Sequence, residues 1–330
     1  YYVAGRTLGP VVLAATVCAT IIGGSAMMGR AGIAYTTGFM AIATALPYML
    51  GMFIFSGYAG RIQQVGEKYH IESIPSLFEY RFGKPAKCVL AAMVAFAMVG
   101  TVAAQVTATA TIIKLLGGQV GISYEMGAFI ATAIFIIYTA ASGLFGVVYT
   151  DVVQFFMLII FVYLMIPFSS LDYLGGFGSF WAMFWGTAVY GVTIALLFLM
   201  GLAAQQILPN VVEEFGTADA VIPALAIKIL PPGLTGLALS GILSVMMSTA
   251  DSYLLVSVQT VVSDLGKTFH PAMKEKQEIL FSRIASVVLA LGALVIALYI
   301  KSAYDVLMFA WAFYAAAAGL PALAALYWKR

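Results

Sequence analysis

The chain has 330 residues, 63% of them apolar and 9% charged, with a net charge of +2 and a mean hydropathy of +1.02. A soluble domain carries about a quarter charged residues, so these values indicate a membrane protein and exclude a disordered chain, a collagen and a disulfide-stapled secreted domain. The two cysteines, Cys18 and Cys88, border or lie in apolar runs and read as packing residues; the small net charge, with basic residues in short loops, excludes nucleic-acid binding.

A span needs about 20 mainly apolar residues to cross roughly 30 Å of hydrocarbon. Runs of that kind stand at 10–29, 36–60, 88–113, 126–142, 148–168, 184–208, 233–263, 281–300 and 304–328. The spans at 126–142 and 148–168 are separated only by Gly143 to Val147, which predicts a tight antiparallel hairpin. No cleavable signal peptide precedes the first span, and the opening on Tyr1 without methionine reads as a chain whose natural start is absent.

Basic residues are retained on the cytoplasmic side. The segments 61–87, with Arg61, Lys68, Arg81, Lys84 and Lys87, and 264–283, with Lys267, Lys274, Lys276 and Arg283, are expected inside with the terminal Lys329 and Arg330. The segment 209–231, with Glu213, Glu214 and Asp219 beside Lys228, is expected outside. These assignments need an even number of crossings between about 170 and 209, where only one span is visible, so one helix is predicted to be missing from the chain near 170–190.

Polar groups inside spans are costly and mark function. In the first span, Gly23-Gly24-Ser25 predicts an unwound point that leaves the carbonyls of Ala19 and Ile22 without their helical partners. Broken helices of this kind build ion sites near the bilayer midplane, although paired glycines also serve close helix packing. In the span from Gly233, the residues Ser244, Ser248, Asp251 and Ser252 form a polar stripe. Val245, Ser248 and Thr249 stand at i, i+3 and i+4, a spacing that aims one carbonyl and two hydroxyls at one point, although such stripes also act as interhelical glue. Together the two features offer five neutral oxygens, a ligand set suited to sodium rather than zinc or copper. Tyr149-Thr150-Asp151-Val152-Val153-Gln154 places an acid and an amide at the cytoplasmic mouth of a span, where Asp151 relays a departing cation or caps the helix with Gln154 as a capping box. Ser25, Gln105, Trp311 and Tyr314 are candidate solute contacts, and Arg30 lies at the outer end of the first span. His70 and His270 lack ligand partners at metal spacing, and no nucleophile elbow, phosphate loop or zinc signature is present, so no enzyme activity and no cofactor beyond the coupling ion are expected.

With these residues in hand, the chain resembles the sodium/solute symporters. The likeness rests on Tyr2-Val3-Ala4-Gly5-Arg6, Gly23-Gly24-Ser25 with Gly32 and Tyr35 to Gly38, Tyr149 to Gln154, Met247-Ser248-Thr249-Ala250-Asp251-Ser252, Phe309-Ala310-Trp311-Ala312 and Trp328-Lys329-Arg330. The resemblance implies an all-α polytopic membrane protein with the inverted-repeat, leucine-transporter-type core of five plus five helices. The first repeat covers about 7–168 and the second about 184–330, incomplete by one helix. It implies sodium ligands on the carbonyls of Ala19, Ile22 and Val245 and the hydroxyls of Ser248 and Thr249, with Asp151 assisting release. The closing run looks like the proline and pantothenate branch, whereas Ala26 and Ala45 stand where sugar transporters carry polar groups. The expected function is sodium-coupled import of a small amino acid, carboxylate or pantothenate-like solute across a bacterial cytoplasmic membrane, with solute, sodium and lipid as partners. The alternatives are a solute-sensing domain of a signalling protein and a sodium-permeable channel.

Overall fold

The computed structural model describes residues 23–41, 43–44, 64–66, 68–69, 71, 73–157, 160 and 192–327, of which 140–150, 155 and 192–195 are described as backbone only. Among the described residues the chain is helical. The helices are α1 (Gly24–Thr37), α2 (Ile74–Phe82), α3 (Lys84–Gly117), α4 (Tyr124–Met157), α5 (Val192–Ile207), the short α6 (Val211–Phe215) and α7 (Val221–Ile229), α8 (Pro232–Gln259), α9 (Glu275–Tyr299) and α10 (Ala303–Tyr314). Among the described residues, four stretches are long and apolar enough to cross a membrane: Lys84–Val120, Pro232–Phe269, Glu275–Tyr299 and Ala303–Tyr327.

The central element is α3, which packs on α4, α8, α9 and α10. Its sequence explains this position, because Ala91, Ala103, Ala104, Ala108 and Ala110 are fully buried and let neighbouring backbones approach closely. A second apolar cluster joins Met27 and Met28 of α1 to Leu197 and Met200 of α5, Leu225 of α7 and Ile242 of α8. Where α1 crosses α5, an ideal Cβ on Gly201 would lie 2.3 Å from the Ala31 carbonyl oxygen and 2.6 Å from Ala34 Cβ. Backbone cannot yield as a flexible side chain does, so Gly201→Ala is expected to destabilise the protein by about 2–3 kcal/mol. A melting temperature in detergent equal to the wild type's would contradict that packing.

Two long helices end in irregular turns. After α8 the chain continues through a π-helical turn, Thr260–Gly266, into Lys267–Phe269. There Ser73 Oγ and Ser76 Oγ donate to Asp264 Oδ1 at 2.7 and 3.1 Å, fastening the start of α2 to the end of α8. After α10 a π turn, Ala315–Gly319, precedes Leu320–Tyr327. Pro321 accounts for it, since proline has no N–H to give the carbonyl four residues back and its ring crowds that carbonyl.

The hairpin predicted at Gly143 to Val147 is not formed, and α4 runs without interruption from Tyr124 to Met157. Gly143 and Gly146 lower helix propensity by about 1 kcal/mol each, but that penalty does not stop a helix that contains no proline over its whole length. At 1.5 Å per residue α4 is about 51 Å long. With one crossing fewer between 88 and 170, residues near 170 fall inside and the single span at 184–208 places 209–231 outside, so the charge pattern no longer calls for an absent crossing. Residues 170–190 lie outside the described residues, as do most of the span at 36–60, residues 10–22 of the first span, 158–159 and 161–168 of the span at 148–168, the start of the span at 184–208, and Cys18.

Candidate functional site

The site starts at the beginning of α1. Gly23 has φ −48° and ψ 150°, an extended backbone, and helical geometry begins only at Gly24. The interruption expected at Gly23-Gly24 is therefore present on the described side; Ala19 and Ile22, on the other side, lie outside the described residues. The predicted boundary at residue 29 is corrected, because α1 continues to Thr37, where Gly38 with φ 61° ends it.

Three polar side chains surround this start. Gln105 Oε1 accepts from Ser25 N–H at 3.1 Å, and Gln105 Nε2 donates to Ser25 Oγ at 2.6 Å, with both residues fully buried. A Cβ on Gly23 would lie 2.8 Å from Thr249 Oγ1, 2.7 Å from Thr249 Cγ2 and 3.2 Å from Gln105 Nε2. Only glycine leaves room here, and the Thr249 hydroxyl stands against its bare face. Met246, one turn before Thr249, fills the equivalent place beside Gly24.

Val245, Ser248 and Thr249 are buried on α8, as the i, i+3, i+4 spacing requires. The Ser248 hydroxyl donates to Asp151 Oδ1 of α4 rather than to its own helix. A hydroxyl that donates once keeps its oxygen lone pairs as acceptors. Asp151 is fully buried inside α4, so the expected helix-capping role is corrected. Because the hairpin is absent, no helix begins at Asp151.

The Asp151 neighbourhood contains one group with no local sequence signal, Thr139. Thr139 Oγ of α4 donates to Asp251 Oδ1, while Asp251 Oδ2 and Gln154 Oε1 are buried without a hydrogen-bond partner among the described residues. Asp251 was visible as part of the polar stripe, but Thr139, inside an apolar run, was not. Of the other candidates, Trp311 packs on the cluster containing Ala26 and Ala103, one residue from Ser25. Tyr314 instead joins Leu90, Val94 and Met98 and is not brought to the site. It stands on the same side of α10 as Trp311 but about one turn further along, which carries it away from the start of α1.

A strap covers the opposite end of α1. Tyr35 Oη donates to the Leu208 carbonyl at 2.7 Å and accepts from Val211 N–H at 3.3 Å, and a Cβ on Gly32 would lie 2.7 Å from the Ala218 carbonyl oxygen. Asp219, 3% exposed, accepts from Ala303 N–H at 2.8 Å at the start of α10. Burial pushes its carboxyl from 3.8 up to about 6. With the folded value above the unfolded one, the folded protein binds the extra proton, so stability rises as pH falls from about 7 towards 4, by up to about 3 kcal/mol. Asp219→Asn, which keeps an acceptor for Ala303, is expected to flatten this dependence. Thermal melts at pH 7.5 and 5 read it directly, and an unchanged pH slope in the variant would exclude Asp219 as its source.

A sequence model of the sodium:solute symporter family matches residues 1–184 and 178–330. The chain belongs to the sodium:solute symporter family. The high-affinity proline transporter of Bacillus subtilis is 26% identical over 399 aligned positions, covering 100% of this chain and 82% of that protein. The sodium/pantothenate symporter of Haemophilus influenzae is 25% identical, covering 88% of this chain and 71% of its own length. In structure, the symporter resembles a Na+-coupled sialic acid symporter in its substrate-bound, outward-open state, with a TM-score of 0.73 and 16% identity over 100% of this chain and 81% of that one. This likeness establishes the inverted-repeat, leucine-transporter-type fold. The two family matches meet at 178–184, inside the stretch where a helix was expected to be missing. The alignment of 399 positions exceeds the symporter's 330 residues, so the proline transporter has residues with no counterpart here. The family and these relatives are membrane transporters.

Proposed function

We propose that the symporter couples sodium entry to uptake of a small carboxylate-bearing solute, with proline as the first candidate, across a bacterial cytoplasmic membrane. Sodium is held by the carbonyls of Ala19, Ile22 and Val245 and the hydroxyls of Ser248 and Thr249. The observation that carries this reading is the extended Gly23 with the Thr249 hydroxyl against it. A helix start supplies free N–H groups and a positive dipole end, which suits a solute carboxylate, while backbone carbonyls released at the break suit the cation.

Charge balance supports a cation on the inner side of the same helix pair. Asp151 and Asp251 are both fully buried between α4 and α8, Asp151 of α4 bonded by Ser248 of α8 and Asp251 of α8 bonded by Thr139 of α4. Two carboxylates sharing a low-dielectric pocket do not both remain charged unless a cation compensates them. A sodium ion leaving the Ser248–Thr249 site meets Asp151 next, because Ser248 is already bonded to it. Ser25 and Gln105 contact the solute, and Trp311 forms part of its wall. The repeats are taken as about 7–168 and 184–330, with a core helix absent near 170–190, in keeping with the divided family match.

The test is uptake of labelled proline, pantothenate and small carboxylates by proteoliposomes, with and without an inward sodium gradient. The same assay on a chain with the relatives' extra segment restored at 170–190 measures what the missing residues contribute. Sodium-dependent accumulation of one solute is expected. Saturable solute binding without accumulation in both chains would overturn symport in favour of sensing.

A further inference from the structure

At the end of α8 distant from the strap, the π turn, the following loop and α9 enclose a groove of about 810 Å³. Its lining is almost wholly apolar, with Val262, Phe269, Met273, Phe281, Ile284 and Val288 prominent among its residues. The α9 wall is one helical face, since Gln277, Phe281, Ile284, Ala285 and Val288 recur at the three- and four-residue spacing of a single stripe. From Gln277 to Val288 that wall runs about 17 Å along the helix, close to the depth of one leaflet of a bilayer with about 30 Å of hydrocarbon. Phe269 is 69% and Val288 60% exposed, so the groove is open along its side.

An apolar surface on a membrane protein is ordinarily just lipid-facing, but this one differs in two respects. It is concave, because residues of the π-helical turn at Thr260–Gly266, of the loop after it and of α9 line it from different sides. It also has a strongly charged end. Lys267, Lys274 and Lys276 stand in the loop and first turn of α9 that close this end, against Glu275 and Glu278. Lys267 is committed to Glu278 at 2.8 Å. Lys274 and Lys276 are exposed, and among the described residues neither makes a salt bridge.

We propose that this groove is a binding site for one anionic phospholipid of the cytoplasmic leaflet. An acyl chain lies along the Phe281–Val288 face, and the phosphate-bearing headgroup sits against Lys274 and Lys276 at the end of the groove. The length of the apolar wall suits a chain running from the interface towards the midplane. Basic clusters directly cytoplasmic of a span attract anionic lipid, whereas a zwitterionic lipid gains only the apolar contact. Because the groove is formed by the end of α8, the helix that carries Ser248 and Thr249, its occupant braces that helix against α9.

The test uses the full chain purified in detergent and titrated with phosphatidylglycerol or phosphatidylcholine, bound lipid being counted by native mass spectrometry. Phosphatidylglycerol is expected to bind more tightly, and each lysine removed in Lys274→Gln and Lys276→Gln should weaken it about five-fold while leaving phosphatidylcholine unchanged. Both lysines are exposed, so the melting temperature of these variants should match the wild type's. Ala285→Trp, which fills the groove, should lose both lipids equally; if that variant does not fold, Ala285→Val serves with a smaller loss. Equal binding of the two lipids, a preference that survives both lysine substitutions, or full competition by free glycerol phosphate would each overturn the proposal.

Discussion

Thr249→Val is expected to raise the sodium concentration for half-maximal uptake by about 10–100-fold while the protein still folds. Valine keeps the branched shape that meets Gly23 and replaces only the hydroxyl, and Thr249 is 1% exposed. An oxygen lost from a cation's ligand shell costs about as much as a hydrogen bond to a charged group, about 1.5–3 kcal/mol, which corresponds to the quoted range. Sodium and solute favour each other's binding by the same factor, so the solute affinity should fall at low sodium and recover at saturating sodium. Thr249→Ser restores the oxygen and should restore the affinity. Sodium activation curves for the three proteins, with their melting temperatures, separate a ligand from a packing residue. An unshifted curve for the valine variant removes Thr249 from the site.

How much of this site the sequence discloses depends on whether the signal is local. Gly23-Gly24 pointed to a break or to close helix packing, and the backbone at Gly23 is extended rather than helical. That Val245, Ser248 and Thr249 share one buried face was legible from their spacing, because side chains three and four apart lie together. The pairing of Ser25 with Gln105, which are 80 residues apart, was not; both were polar residues in apolar runs, and only the packing of α1 on α3 joins them. Thr139 gave no signal, because a threonine in a span ordinarily bonds back to its own helix, as Thr132 does to Ala128 at 2.8 Å. The hairpin at Gly143 failed for a related reason. Glycine shows that a helix can be interrupted, and whether it is depends on tertiary contacts.

Asp151→Asn is expected to lower net uptake at saturating sodium by about 10–100-fold with only small changes in the apparent affinities for sodium and solute. Asparagine keeps the shape and an oxygen that can accept from Ser248, so what is removed is the charge. Withdrawing a unit charge a few ångströms from a cation in partly desolvated surroundings forfeits on the order of 1.5–3 kcal/mol, given about 4 kcal/mol at 4 Å and an effective dielectric constant of 20. If that charge draws sodium inward from Ser248 and Thr249, the loss falls on the release step, and turnover drops without weaker initial binding. Exchange of labelled for unlabelled solute, with high sodium on both sides, needs no net sodium release and should persist at near wild-type rates. A purely structural role for Asp151 predicts a different result, because loosening the α4–α8 contact would slow exchange and net uptake together and lower the melting temperature. The ratio of exchange to net uptake in Asp151→Asn therefore distinguishes the two roles, and an unchanged ratio would falsify the release role.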